Sequence, residues 1–309
     1  MSNAINPTGR LLYGYPPGAS GSKLANALLP LVAAQGGLRY ILTNLEGRST
    51  RTASIAAVKA IPDGTVLLQA ISASLTLMPS LHSDVGFDPL HDLKPIASLG
   101  DFPYLMVVGP IVPKTVTNLA KYLIWVNDNP DFRSIGISIN GSIGQLAVAA
   151  LANSTGASLS SVSYQGTGDL LNDLRSETLA AAFVVPNPGI SPRLEAPIRT
   201  IGITSAQRFT YWPEVVPLAE QGISSMDLTA WFGWFTQSAT PESALTTLRT
   251  AVTRMQASAQ YSDVMKGLML IARPLTPEKI DARMREEFAR YRNMVDRLGI
   301  QCSGQLVVV

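Results

Sequence analysis

"RLLYGYPPGASGSKLANALLPLVAAQGG", residues 10–37, runs from a short apolar segment through a crowded corner into a helical pattern. Arg10 to Tyr15 reads as a strand. Leu24, Leu28, Leu31 and Val32 then recur at helical spacing, and Gly36-Gly37 supplies a stop. The corner between them, "GYPPGASGSK" (14–23), packs two prolines, three glycines and two serines into a junction that needs only a turn. A strand followed by a glycine-rich corner and a helix is the repeating unit of an α/β fold.

The unit recurs outward from this stretch. "LRYILTNL" (38–45) reads as a strand, "STRTASIAAVKAIPDG" (49–64) as a helix ended by Pro62-Asp63-Gly64, and "TVLLQAIS" (65–72) as an apolar strand. From residue 104 the scheme repeats. "YLMVVGP", "RSIGISI", "LSSVSY" and "LAAAFVV" read as strands, with helical segments between them starting at Thr115, Gly141 and Thr167. Near-continuous apolar strands alternating with helices predict two similar α/β domains with largely parallel sheets. The last third differs. "AWFGWFTQSATP" (230–241) reads as one or two short strands, and helices are expected over 241–258 and 276–299. In the final helix Ile280, Met284, Phe288, Tyr291, Val295 and Leu298 share a face. Arg283, Arg285, Glu286, Arg290 and Arg292 fall largely off that face and read as a solvated surface.

Composition excludes several classes. Of the 309 residues, 46% are hydrophobic and 15% charged, which gives a core-rich folded chain. The 24 basic and 22 acidic residues are dispersed. They leave no basic stripe for a nucleic acid. No apolar run reaches the roughly 18 residues that span a bilayer. The single cysteine, Cys302, allows no internal disulfide and is read as an incidental thiol. The opening Met1-Ser2-Asn3-Ala4 looks like the scar left where a leader or tag has been replaced.

Catalytic machinery is scarce. The two histidines, His82 and His91, lie in a proline-bearing, loop-like stretch with Asp84, Asp88 and Asp92. Their spacing fits no zinc motif, so no metal is expected. There is no GxSxG elbow and no Walker A sequence, and "GTGDLL" lacks the third glycine of a dinucleotide fingerprint. No nucleophile–base pair stands out, so neither an enzyme nor a cofactor is expected. What the chain offers is a set of small-residue corners: "GYPPGASGS" (14–22), "ISAS" (71–74), "INGSIG" (139–144) and "YQGTGD" (164–169). Ligands of open α/β sheets bind beyond the carboxyl ends of the strands. Helix N-termini there present free N–H groups and a partial positive charge. Serine adds hydroxyls, glycine admits close approach, and proline pre-orders the loop. The same residues also make ordinary turns and helix caps, so each corner alone is ambiguous.

In order and at matching spacing, these corners resemble the periplasmic substrate-binding proteins of tripartite tricarboxylate transporters, the Bug receptors. "YPPGAS" is similar to the family's YPPGGS loop. "AIPDGTVLL", "VGFDPLHDLKPIASLG", "VSYQGTGDLLNDL" and "AWFGWFTQSATP" resemble further family segments, so that the likeness runs from about Arg10 to Ile300. The resemblance implies a type II periplasmic-binding-protein fold. Residues 5–103 plus 225–309 would form one α/β domain and 104–224 the other, with a ligand cleft between them. It implies hinge crossings near 101–104 and 222–230. It further implies a receptor that captures a small organic carboxylate for the membrane permease subunits of a tripartite transporter, as a periplasmic monomer whose signal peptide has been removed. A ligand sensor of the same fold and, less favoured, a cleft enzyme are the rival readings. Carried over position by position, the ligand would meet Tyr15, Pro17, Gly18, Ala19 and Ser20 on one side. On the other it would meet Gly166, Thr167, Gly168 and Asp169, with Ser72, Ser74, Asn140, Gly141, Ser142 and Val184 completing the cleft.

The departures are specific. Ala19 stands for the family's second glycine, Ser22 for an aspartate, and Gly144-Gln145-Leu146 for a Ser-His-Leu segment. Arg48 and Arg51 stand where small residues are usual, Val184 where many members carry an aspartate, and Asp169 where proline is common. The changes at 169 and 184 lead to the expectation of a ligand whose distal group differs from that of the common dicarboxylates.

Overall fold

The structure, a computed structural model, describes residues 8–36, 39–82, 84–187, 190–193 and 195–300. Cys302 and the opening Met1–Ala4 therefore lie outside the described residues.

Two five-stranded sheets organise the chain. The first is built from β1 (Thr8–Tyr13), β2 (Arg39–Asn44), β3 (Val66–Ile71) and β4 (Leu93–Pro103), with a late strand, Thr229–Gln237, inserted between β3 and β4. Helices α1 (Ser20–Ala34) and α2 (Arg51–Val58) connect its first strands, and the short α3 (Ala73–Thr76) and α4 (Met78–Leu81) follow β3. The second sheet takes β5 (Leu105–Val108), β6 (Ser134–Ile137), β7 (Ser160–Ser163), β8 (Ala181–Val184) and β9 (Arg199–Ile203) in the order β7-β6-β8-β5-β9. Its helices are α5 (Leu119–Asp128), α6 (Ile143–Thr155) and α7 (Thr167–Arg175). The late strand Thr229–Gln237 is β10. After it the chain ends in α8 (Glu242–Gln256), α9 (Ala259–Gly267) and α10 (Pro277–Leu298).

Both sheets are mixed. β1, β2 and β3 run parallel, whereas β10 is antiparallel to β3 and β4. β6, β7 and β8 run parallel, whereas β5 is antiparallel to β8 and β9. In each sheet the antiparallel strand is the first one laid down after the chain crosses from the other sheet. The expected largely parallel sheets are thus each broken by one strand. "AWFGWFTQ" forms a single strand, buried along its length except at its ends. β4 is an eleven-residue strand over a stretch to which the sequence pattern assigns no element. Its Pro95 is tolerated because β4 is an edge strand, and the ladder shifts register beside it, between Trp234 and Phe235.

The apolar strands explain the packing. Every β3 residue after Val66 is buried. Its one polar residue, Gln69, is fully used: Nε2 donates to the Gly21 carbonyl at 2.7 Å, and Oε1 accepts from Trp234 Nε1 at 2.9 Å. A buried amide with both ends paired costs little and ties α1 to the sheet. The crossings between sheets are stitched at Thr204. Tyr104 N donates to Thr204 Oγ1 at 2.9 Å, Thr204 N to the Tyr104 carbonyl at 3.0 Å, and Leu228 N to the Thr204 carbonyl at 2.6 Å.

α10 buries Ile280, Met284, Tyr291 and Val295 of the expected face, together with Met294 and the carboxylate of Glu287, while Phe288 and Leu298 are only half-buried. Arg283 departs from the solvated reading. Its side chain is only 16% exposed; NH1 donates to Asp101 Oδ1 and Nε to Glu287 Oε1, both at 2.9 Å. The guanidinium also lies over the Trp231 ring, 5.2 Å from its centroid. Trp231 Nε1 donates to Glu287 Oε1 at 2.9 Å, and Thr76 Oγ1 donates to Oε2 at 3.3 Å. Burial pushes the Glu287 carboxyl above its ordinary value, although Arg283 and Trp231 pull it down. The cluster fixes α10 to β4 at its crossing end.

Candidate functional site

Between the sheets lies a cavity of about 370 Å³, walled by residues 14–16, 46–49, 139–140 and 163–166. That volume is in the range of small-molecule sites. Three of its walls are the corners that open α1, α6 and α7.

The first corner is held from below. Asn44 Nδ2 donates to the Tyr15 carbonyl at 2.6 Å and to Ser22 Oγ at 2.9 Å, and Ser22 Oγ donates to the Pro16 carbonyl at 3.3 Å. The serine that replaces the family's aspartate is therefore a brace for the loop. Ala19 N closes the turn on the Pro16 carbonyl at 3.3 Å, and Gly18 takes φ +83°, which glycine adopts without cost. Tyr15 is buried and stacks on Tyr13 with ring centroids 5.1 Å apart. Burial raises its phenol pKa, opposed by a hydrogen bond with Ser74. α1 has no side-chain cap and no acid in its first turn, so its leading N–H groups have no intrahelical partner.

The α6 corner is similar. Asn140 is exposed at the wall, and Gly141 has φ +78°. Ser142, the N-cap, is buried, makes no capping bond and leaves its Oγ without a partner. Met78 and Leu81 of α4 pack on Gly141, where an added Cβ would stand 2.4 Å from Met78 Cε. The α7 corner meets the first corner directly. Gly166, at φ +111°, donates its N–H to the Ser138 carbonyl at 2.9 Å, and an added Cβ would lie 3.0 Å from Pro16 Cγ. The two corners thus touch across the cleft.

Of the residues named from sequence, Tyr15, Asn140 and Gly166 line this cavity. Pro17, Gly18, Ala19 and Ser20 lie on the first corner just beyond the wall, and Thr167, Gly168 and Asp169 open α7, with Gly168 and Asp169 exposed. Ser72 and Ser74 are buried deeper. Ser72 Oγ has no partner, and Ser74 lines a separate void of about 10 Å³ beside Tyr15, the size of one water. Val184 ends β8 opposite Leu105, fully buried in an apolar cluster with Leu170 and Ile203. The positions that led to the distal-group expectation, 169 and 184, are therefore outside the cavity wall. Sequence reasoning missed Asn44, Gln165 and the 46–49 wall; only the unusual Arg48 marked the last. Among the described residues, no group of three or more His, Cys, Asp or Glu could hold a metal ion.

Two mixed α/β sheets joined by crossings at Thr204, with a cavity walled by helix-opening corners from both, make up the two-domain fold of type II periplasmic binding proteins. The fold superposes on the periplasmic binding protein BugD with a TM-score of 0.84 at 19% identity, covering 95% of this chain and 98% of that one. With R. palustris Rpa4515 with adipate the TM-score is 0.87 at 22% identity, over 95% and 98% of the two chains. The chain belongs to the family described as Tripartite tricarboxylate transporter family receptor, whose pattern matches residues 30–299. It is 23% identical to the protein BugT of Bordetella pertussis over 292 residues, 94% of this chain and 89% of that protein. Among the described residues, no helix is long and apolar enough to cross a membrane.

Proposed function

We propose that this protein is a non-enzymatic periplasmic receptor that captures a small organic carboxylate between its two sheets and presents it to the permease subunits of a tripartite transporter. The observation that carries the reading is the convergence of the α1, α6 and α7 corners on one cavity. α1 and α6 carry no acid in their first turns, and the Ser142 hydroxyl is left without a partner. Free N–H groups and helix dipoles favour an anion there. A carboxylate takes up such donors without needing a protein cation. The adipate in Rpa4515 and the transporter name of the family support the same reading. The protein acts as a monomer of two units, residues 5–103 with 225–309 and residues 104–224, that close on the ligand about the Thr204 crossings.

A thermal-shift screen against mono-, di- and tricarboxylates tests the proposal. A ligand present at 100 times its dissociation constant adds ~2.7 kcal/mol to stability. A clear rise in melting temperature with at least one carboxylate is expected; a flat response across the panel would sink the reading. The brace under the first corner gives a second expectation. Asn44→Leu removes the bonds to Tyr15 and Ser22, costing about 1–3 kcal/mol of stability. It should also weaken the best carboxylate by about tenfold, because the loop must then be ordered on binding. Calorimetric titration giving unchanged affinity would show that the brace does not serve the site.

A further inference from the structure

Asn140-Gly141 is the only Asn-Gly pair in the sequence, and Asn140 stands in the cavity wall. The Asn140 side chain is exposed, and no hydrogen bond among the described residues engages its amide. A backbone nitrogen can attack the side-chain amide carbon of the residue before it when no side chain of its own stands in the way. Glycine carries none. Gly141 follows Asn140 directly, at φ +78°. Two contacts hold its nitrogen back. Gly141 N donates to Gln145 Oε1 at 2.7 Å, which keeps its proton in place. Met78 and Leu81 of α4, which follows a strand of the first sheet, pack on Gly141 from across the cleft.

We infer that Asn140 is a site of self-modification, at which the Gly141 nitrogen slowly converts the side-chain amide to a carboxylate at a rate set by Gln145 and α4. The Gly141 nitrogen gives up its proton to solvent and bonds to Asn140 Cγ. The Cγ–Nδ2 bond breaks, and the amide nitrogen takes up a proton and leaves as ammonia. Water then opens the five-membered imide. Attack at Cγ leaves an aspartate; attack at the Asn140 main-chain carbonyl carbon reroutes the chain through Cγ. One ammonia leaves, one water enters, and nothing is oxidised or reduced. The consequence for binding rests on the carboxylate-receptor reading. Position 140 lies two residues before Ser142, the N-cap of α6, whose first turn has no acid. A carboxylate there takes up the α6 end of the site and repels an anionic ligand. Conversion switches the receptor off.

Peptide mapping by mass spectrometry, on the full chain incubated at mildly alkaline pH, tests the chemistry. Conversion at Asn140 is expected to outrun that at every other asparagine and to trail that of the free peptide SINGSIG (138–144). Gln145→Leu keeps the bulk and removes the acceptor. It should speed conversion at Asn140 about fivefold, the equivalent of one hydrogen bond. Met78→Ala should also speed it, with the other asparagines left at their wild-type rates, which separates local release from general unfolding. An Asn140 amide that lasts as long as the others overturns the inference, as does a rate that Gln145→Leu leaves unchanged. For the consequence, Asn140→Asp is compared with wild type by calorimetric titration with succinate, glutarate, adipate and citrate. The tightest of these is expected to bind the variant about tenfold or more weakly. Equal binding overturns the switching-off and leaves the modification standing. No binding by these or any other carboxylate removes the receptor reading and the switching-off together, while the mass measurement still decides the modification.

Discussion

Gly166→Ala should weaken carboxylate binding by roughly 10–100-fold while the protein stays folded. The backbone at Gly166 sits at φ +111°, where an L-residue is strained by about 1–3 kcal/mol. That strain lowers stability in the free and bound forms alike, so the affinity loss comes from the cross-cleft contact, where each 1.4 kcal/mol is a tenfold change. The new Cβ would also press on Pro16 Cγ from 3.0 Å. That ring is stiff, and its loop is braced by Asn44 and Ser22, so it has little room to retreat. The contact exists where the two corners meet, so the substitution penalises the closed arrangement in particular. Gly168→Ala is the control. It has no neighbouring atom within 4 Å of an added Cβ and no positive φ, and its affinity should stay within about twofold. Titration of both variants, with solution scattering for closure, decides the matter. Wild-type affinity in Gly166→Ala would show that the corners do not approach this closely when ligand is bound.

Arg283→Ala is expected to cost about 3–5 kcal/mol of stability, the usual consequence of removing one partner from a buried charge cluster. Asp101 and Glu287 are 8% and 6% exposed, and both would lose their close cation. The exposed Arg273, 62% open to solvent and 3.4 Å from Asp101, would compensate weakly. Urea unfolding checks the loss; a change under about 1 kcal/mol would place the cluster among ordinary surface pairs. The pH dependence has a definite sign. Burial already holds the Glu287 carboxyl above its usual value, and loss of Arg283 removes the largest opposing influence. A carboxyl whose folded-state value lies above its unfolded value binds its proton more tightly when folded. Its contribution to stability is therefore present at low pH and lost as pH rises. The deficit of Arg283→Ala relative to wild type should shrink between pH 7 and pH 5.

The α/β architecture was legible because the apolar strands, helical spacing and glycine-rich corners agree with one another from residue 10 to 185. What pattern cannot convey is strand direction and neighbour. Nothing in "AWFGWFTQ" says that it runs antiparallel between β3 and β4. β4 escaped notice because Lys94, Pro95 and Pro103 break the strand pattern, and an edge position is what makes them acceptable. Arg283 was read as solvated because helical periodicity sees only its own helix; its partner Asp101 comes from a distant strand. At the site, the corners at Tyr15, Asn140 and Gly166 were visible as clusters of small residues. The 46–49 wall was visible only as a departure, since a left-handed path through Arg48, Ser49 and Thr50 has no propensity behind it. Val184 went to the core because it is the last residue of a strand whose four residues are all buried.

The position of β10 sets an order of events for a newly made chain. The second sheet comes from one uninterrupted stretch, 105–203, and can assemble as soon as that stretch is available. The first sheet cannot close until residues 229–237 arrive to fill the slot between β3 and β4. Until then two apolar strand edges stand open, with the non-local closure that slows folding still ahead. Binding capacity therefore matures late, and the unfilled slot is the point at which an unfinished chain is most exposed to pairing with a neighbour.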